Sequence, residues 1–351
     1  MSKFVCVRVV QANGMDLNLY QFDYDMSFAV NFLHANKTVY ARYGSRRGNE
    51  EAADDEMSME GLHATMEGVL KLHQSYDETK ASLIGKQPRV VAIAVPEAHP
   101  LLGKYTSKLD YDGKVAGSCI HCHQIQDTRR QAVREAGEVL SHKTLTPWPM
   151  PSAIGFEMDP KSAATVSDVL PGSHAGKAGL DVGDVITDLD GQPILSLADI
   201  QWVLHHITEN PDLVMNVRRG TEEKRLVLPL GKGWDLGSDI DWRVSTWDLR
   251  RMALGGMRLV SLSDEEREEQ GVADGKMALF AKNVGQYGNH AVAKKAGLKK
   301  GDVIVSFDGD DSDISEGDLL RRVLGKYKRG EEVSFTYLRN GAVKEATIRL
   351  Q

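Results

Sequence analysis

Residues 178–191 read AGLDVGDVITDLDG and residues 296–309 read AGLKKGDVIVSFDG, so the pattern AGL-x-x-GDVI-x-x-x-DG occurs twice. A repeat of this kind marks a duplicated structural unit. Gly183 and Gly301 allow a tight turn ahead of strands expected at Asp184–Leu189 and Asp302–Phe307, and Asp190-Gly191 and Asp308-Gly309 turn the chain again. After each copy comes a helix, SLADIQWVLHHI from Ser196 and SEGDLLRRVLGKY from Ser315. Apolar residues share one face of each, at Ile200, Val203, Leu204 and Ile207 and at Leu319, Leu320, Val323 and Leu324. Each helix leads to a strand pair, turning at Gly220 in the first copy and at Asn340-Gly341 in the second.

This order of strands, turns and helix resembles the PDZ domain in the form found in bacterial HtrA-type proteins, over residues 152–231 and about 253–351. The resemblance implies recognition of an extended peptide, usually a C-terminus, added as a strand to a sheet edge beside the long helix. It also implies a Gly-containing loop whose backbone N–H groups hold the terminal carboxylate. The matching stretches are AIGF, with Ile154, Gly155 and Phe156, and GMRL, with Gly256, Met257, Arg258 and Leu259. In this alignment Arg258 takes the place of the internal glycine. The second copy alone carries SLSDEEREEQGVADG, where Ser263 and Glu266 read as a capping box and Gly271 as a helix stop.

Domains of this type are often joined to proteases, yet the chain has no Gly-x-Ser-x-Gly elbow, no serine loop of the Gly-Asn-Ser-Gly-Gly kind and no His-Glu-x-x-His helix. A non-enzymatic protein is expected. The adjacent His205 and His206 read as one residue facing the groove and one facing water rather than as metal ligands.

Towards the N-terminus, KFVCVRVV at residues 3–10 reads as a strand and FAVNFLHANKTVYARYG at 28–44 as two strands joined through Asn36-Lys37. A helix of about twenty residues is expected from Met57, its buried side carrying Leu62, Met66, Val69, Leu70 and Leu72. Strand, hairpin and helix resemble the closing half of a thioredoxin-like domain. Together with the later repeats they resemble a bacterial family of thioredoxin-like plus PDZ proteins, some selenocysteine-containing. The part that would bear a thioredoxin dithiol has no counterpart, and no proline precedes FAVNFL. The missing first strand suggests that the natural start lies upstream of Met1.

GSCIHCHQIQDTRRQ at residues 117–131 contains C-x-x-C-H, the spacing by which haem c is attached. Cys119 and Cys122 would bond the vinyl groups, His123 would ligate the haem iron, and Met150 or Met158 would be the sixth ligand. Other readings are a redox dithiol with His121 lowering the thiolate pKa, a zinc site using His142, or the plain start of a helix running from Ile120 to about Ser141. A cysteine pair at a helix N-terminus is expected to favour thiolate.

Charged residues make up 26% of the chain and the net charge is −7, which gives no reason to expect nucleic-acid binding. The acidic run at residues 49–60 reads as a solvated stretch. Three cysteines cannot make a disulfide framework, and no apolar run reaches the ~20 residues that span a bilayer. Without an export signal the default is cytoplasmic, becoming periplasmic if the start lies upstream or haem is attached. Trp234, Trp242 and Trp247 in the linker are expected to pack between domains.

The sequence thus predicts an α+β multi-domain protein. A partial thioredoxin-like domain (1–88) is followed by a helical C-x-x-C-H segment (89–151), a first PDZ domain (152–231), a tryptophan-rich linker (232–252) and a second PDZ domain (253–351). Its expected partners are peptides or protein C-termini. A haem electron carrier or thiol redox protein, with the PDZ domains docking a redox partner, is the competing function.

Overall fold

The computed structural model describes residues 2–351 apart from 27, 45–56, 208–211, 236–237, 239, 241–242 and 244. Most of the acidic run and Trp242 therefore lie outside the described residues. Two compact units emerge, Met1–Ile125 with Thr146–Ser238 and Gln126–Leu145 with Asp239–Gln351. This redraws the five-segment division. The N-terminal third does not stand apart from the first repeat, and the division between units falls inside one helix.

In the first unit, β1 (Val30–Leu33) and β2 (Val39–Tyr43) form the expected antiparallel hairpin, with Lys37 at φ 73° in its turn. Residues 3–10 do not form the expected strand. Val5, Val7, Val9 and Val10 are exposed, and only Phe4 is packed, edge-on against Phe32. The helix Met59–Gln74 starts at Ser58, whose side chain accepts from the Gly61 N–H. Leu62, Met66, Val69 and Leu72 pack with Phe32, Tyr40 and Leu83. A second stripe on this helix is made of small residues. A Cβ on Gly61 would stand 2.2 Å from Pro160 O and one on Gly68 2.7 Å from Leu195 Cδ2, while Thr65 Oγ1 donates to Leu195 O at 2.8 Å. Those missing atoms let the helix lie directly on the first repeat.

The first repeat contains β3 (Phe156–Met158) paired with β4 (Val166–Val169). A four-stranded antiparallel sheet combines β5 (Val185–Leu189), β6 (Gln192–Pro193), β7 (Asp212–Arg219) and β8 (Glu222–Pro229) in the order β6-β5-β7-β8. The helix Leu197–His206 covers the core, with Ile200, Val203 and Leu204 packed among Phe156, Leu189 and Met215. In the second unit β9 (Met257–Ser261), β10 (Leu279–Val284), β11 (Val303–Phe307), β12 (Glu332–Arg339) and β13 (Ala342–Arg349) run β13-β12-β11-β10-β9, leaving β9 at the edge. The helix Glu316–Lys326 packs Leu319, Leu320, Val323 and Leu324 into that core. The capping box at Ser263 and Glu266 and the stop at Gly271 are formed as expected.

The repeated aspartate has a structural role. Asp184 accepts from the Asp181 N–H at 3.0 Å and pairs with Arg219 at 2.7 Å, and Asp302 accepts from the Lys299 N–H at 2.7 Å and pairs with Arg339 at 2.6 Å. Each arginine also reaches a carbonyl of its own AGL turn, Gly179 or Gly297, at 2.7 and 2.8 Å. One buried carboxylate thus ties the tight turn to the end of the neighbouring strand, in both copies.

Candidate functional site

Each repeat enters its first strand through a left-handed glycine. Gly155 at φ 92° ends the turn Pro151–Ile154, its N–H donating to Pro151 O and Ser152 O at 3.1 and 3.0 Å. Gly256 at φ 87° follows the helix Thr246–Leu254 and donates to Arg250 O at 3.0 Å. Both carbonyls face the next strand, Gly155 O accepting from Leu170 N–H and Gly256 O from Gly285 N–H. The structural match is therefore Ile154-Gly155-Phe156 with Gly255-Gly256-Met257. This corrects the sequence alignment: Arg258 replaces no glycine, because Gly256 occupies the loop position. Its backbone strain fixes that assignment, since a Cβ there would meet His290 O at 2.1 Å. In both loops the glycine N–H expected to hold a ligand carboxylate closes the preceding helical turn instead.

Alternation along a strand then fixes what faces the groove. Phe156 and Met158 on β3, and Met257 and Leu259 on β9, turn their backbone groups to the outer edge, towards the helix that follows each repeat. β3 pairs only with β4 and β9 only with β10 among the described residues.

Side chains decide what those edges can accept. In the second groove Glu316, the first residue of its helix, accepts from the Leu259 N–H at 2.6 Å. The same carboxylate takes two bonds from Arg250 Nε, at 3.1 and 3.0 Å, and one from Nη2 at 2.5 Å, with Arg250 and Glu316 4% and 2% exposed. Leu320 and Leu324, further along the groove side of that helix, are fully buried, and Leu140 N–H donates to Leu324 O at 2.8 Å.

In the first groove Leu197 stands at the position of Glu316 and brings no acceptor. Gln201 Nε2 donates to Trp148 O at 3.2 Å and to Met150 Sδ at 3.1 Å, and Trp148 stacks on His205 with ring centres 4.2 Å apart. His205 shares the helix face of Leu197 and Gln201, while His206 lies against Trp202. Tyr43, Gly44 and Met57 line, with Met158–Pro160 and Ser196–Leu197, a void of about 10 Å³, the lower limit for one water. On the β4 side of the loop the surface is hollowed. A cleft of about 360 Å³ runs between Ser152–Gly155, Leu170, His174 and Gly231–Trp234, and Lys232 is its one fully charged side chain, with no carboxylate in its lining.

The outward side of the first helix is covered as well. Asp199 accepts from the Arg42 N–H and the Leu195 N–H, both at 3.1 Å, and pairs with the fully buried Lys86 at 2.6 Å. The Arg42 guanidinium lies 3.6 Å over the Trp202 ring, and the Trp202 indole donates to Gly85 O at 2.7 Å. Burial pushes Arg42 down to about 10, with Asp199 opposing, and burial likewise lowers Lys86 despite its partner. No periodicity rule marks Arg42 or Lys86 as buried; the one cue is an Asp and a Trp on a helix already carrying its full apolar face.

The C-x-x-C-H segment differs from its expectation. Its helix is Cys122–Glu135, ended by Gly137 at φ 76°, so Cys119 and Ile120 lie in extended chain before it. Ile120 is fully buried, and Cys122 packs against Leu102 and Ile125. Burial pushes the Cys122 thiol above its ordinary value, the opposite of the thiolate expected at a helix start. Cys119 Sγ donates to Val115 O at 3.4 Å and Met150 Sδ is held by Gln201. Among the described residues no cluster of three or more His, Cys, Asp or Glu side chains could hold a metal. Of the linker tryptophans, Trp234 packs on the core of the first repeat and Trp247 is 45% exposed.

The PDZ domain family matches residues 152–230 and 288–350. A probable periplasmic serine endoprotease DegP-like of Pseudomonas savastanoi pv. phaseolicola is 27% identical over 198 residues, which is 56% of this chain and 40% of that protein. The periplasmic pH-dependent serine endoprotease DegQ of Escherichia coli is 29% identical over 158 residues, 45% of this chain and 31% of the relative. The chain thus spans less than half the length of the curated relatives it matches. A solved structure of the HtrA-type protease AlgW with a decapeptide is similar at 18% identity, covering 39% of this chain and 41% of that one with a TM-score of 0.24. The two repeats are PDZ domains of the HtrA type. None of these comparisons concerns a thioredoxin-like domain or a selenocysteine protein.

Proposed function

We propose that this chain is a non-enzymatic recognition protein that takes an extended peptide or protein C-terminus onto the outer edge of β3. The carboxyl end would lie at the loop Ile154-Gly155-Phe156, whose Ile154 and Gly155 form one wall of the open cleft. The observation that carries the reading is the one-sided pairing of β3: among the described residues it bonds only to β4, and its outward edge at Phe156 and Met158 lies where the helix presents Leu197 rather than an acidic side chain. Gly256, Met257, Arg258 and Leu259 offer the corresponding edge in the second domain.

Binding of random decapeptides with free carboxyl ends, followed by titration of the tightest, tests this. Lys232→Ala should weaken binding about tenfold and flatten its salt dependence, as expected for loss of one charge near a carboxylate. Equal affinity for the carboxylate and its amide would remove the C-terminal part of the reading, and no binding at all would remove the whole. The relatives are named as periplasmic, which favours a periplasmic place over the cytoplasmic default; cell fractionation checks it. The haem alternative rests on spacing alone, and its test is covalently retained haem after expression with attachment machinery.

A further inference from the structure

We infer that the second groove is closed from within: Glu316 occupies, on β9, the position a bound peptide would take, so an external ligand reaches that edge only after Glu316 leaves. This rests on the strand-addition reading above. An incoming strand needs the outward N–H of Leu259, and Glu316 already accepts it at 2.6 Å, a charge-assisted bond stronger than the peptide carbonyl would make. Arg250 holds the carboxylate in place by three contacts, and it comes from the helix Thr246–Leu254 that runs straight into the loop glycines Gly255 and Gly256. Pulling the loop open therefore breaks the same ion pair that blocks the strand. The first domain has no such device, because Leu197 stands at that helix position and has no oxygen to offer Met158.

The test compares the full chain with R250L/E316A, which removes both charges so that neither is left buried alone. Hydrogen exchange at the Leu259 amide and the number of peptides bound per chain are measured, with the decapeptide pool reselected on each protein. The Leu259 amide should be slow in the wild type, about tenfold faster in the variant, and slow again once peptide is added. Bound peptides should rise from one to two. Unchanged exchange in the variant overturns the proposal, as does faster exchange with the count still at one. Should the double variant fail to fold, Glu316→Gln keeps the acceptor and shape without the charge; it should accelerate exchange by a smaller factor, and unchanged exchange there also overturns the proposal. Absence of peptide binding to the wild type would instead sink the function reading, leaving the exchange result to decide the closure by itself.

Discussion

The two grooves begin with the same left-handed glycine, the same strand and a helix capped by a serine, yet one edge N–H is taken by Glu316 and its counterpart faces Leu197. What runs into the loop differs too, a single turn at Pro151–Ile154 in one domain and the helix Thr246–Leu254 in the other. Duplication therefore fixed the main-chain frame, whereas occupancy of the edge was left to one side chain after the cap and to the segment ahead of the loop. The same contrast recurs on the outer faces of the two helices, and there it has the largest energetic consequence.

Asp199 and Asp318 occupy the same position, three residues after the cap. Asp199 is buried with Lys86 and accepts two backbone N–H groups, while Asp318 is half-exposed and pairs with Arg321 and with Ser315 in a capping box. Asp199→Ala leaves Lys86 buried without a counter-charge and should cost about 3–5 kcal/mol in urea unfolding. Asp318→Ala loses a cap and a surface pair and should cost about 1 kcal/mol. Equal losses would show that the cover on the first helix is not the cohesive contact it is taken to be.

The loop glycines give the next effect. Alanine at either needs a backbone conformation costing roughly 1–3 kcal/mol. The added Cβ then meets Ser173 side-chain carbon at 2.0 Å in one case and His290 backbone oxygen at 2.1 Å in the other. Neither the Ser173 Cβ nor the His290 carbonyl can be moved by a side-chain rotation, so Gly155→Ala and Gly256→Ala should destabilise by comparable amounts in the same assay. A much smaller loss at Gly256 would mean that the second loop relaxes freely, and with it the closure by Glu316.

Much of this frame was legible in the residues. The AGL-x-x-GDVI-x-x-x-DG repeat, the serine caps and the Asn340-Gly341 turn each follow from local chemistry, and local chemistry is what a sequence displays. The Asn36-Lys37 hairpin was readable for the same reason. The strand expected at residues 3–10 failed because alternating valines give strand propensity without a partner to bond, and pairing is not a local property. The helix expected from Ile120 to Ser141 was too long at both ends, Gly137 supplying the stop that was overlooked. The groove contents were invisible: Glu316 reads as an acidic first-turn residue that any helix would favour, and only the return of Arg250 and the Leu259 edge gives it another task. The C-x-x-C-H spacing likewise says nothing about Cys122 turning into an apolar cluster, which is a matter of tertiary packing.

The smallest expected effect concerns the carboxylate shared by the two turn motifs. Burial alone would raise Asp184, but Arg219 and the Asp181 N–H outweigh it and hold its pKa below the ordinary carboxylate range. A carboxyl with a depressed folded-state pKa binds fewer protons than the unfolded chain does, so its stabilisation is complete above the unfolded value, about 3.9, and is lost as pH falls through the folded one. Asp184→Asn should therefore lower the urea midpoint near neutral pH, with the gap to wild type narrowing in acid as the wild type loses the same contribution. Asp302→Asn removes the matching contacts to Lys299 and Arg339 and serves as the comparison in the other domain. A gap for Asp184→Asn that stays constant from neutral pH into acid would mean that the aspartate acts through shape alone, and the Arg219 tie to the neighbouring strand would then contribute no charge-dependent stability.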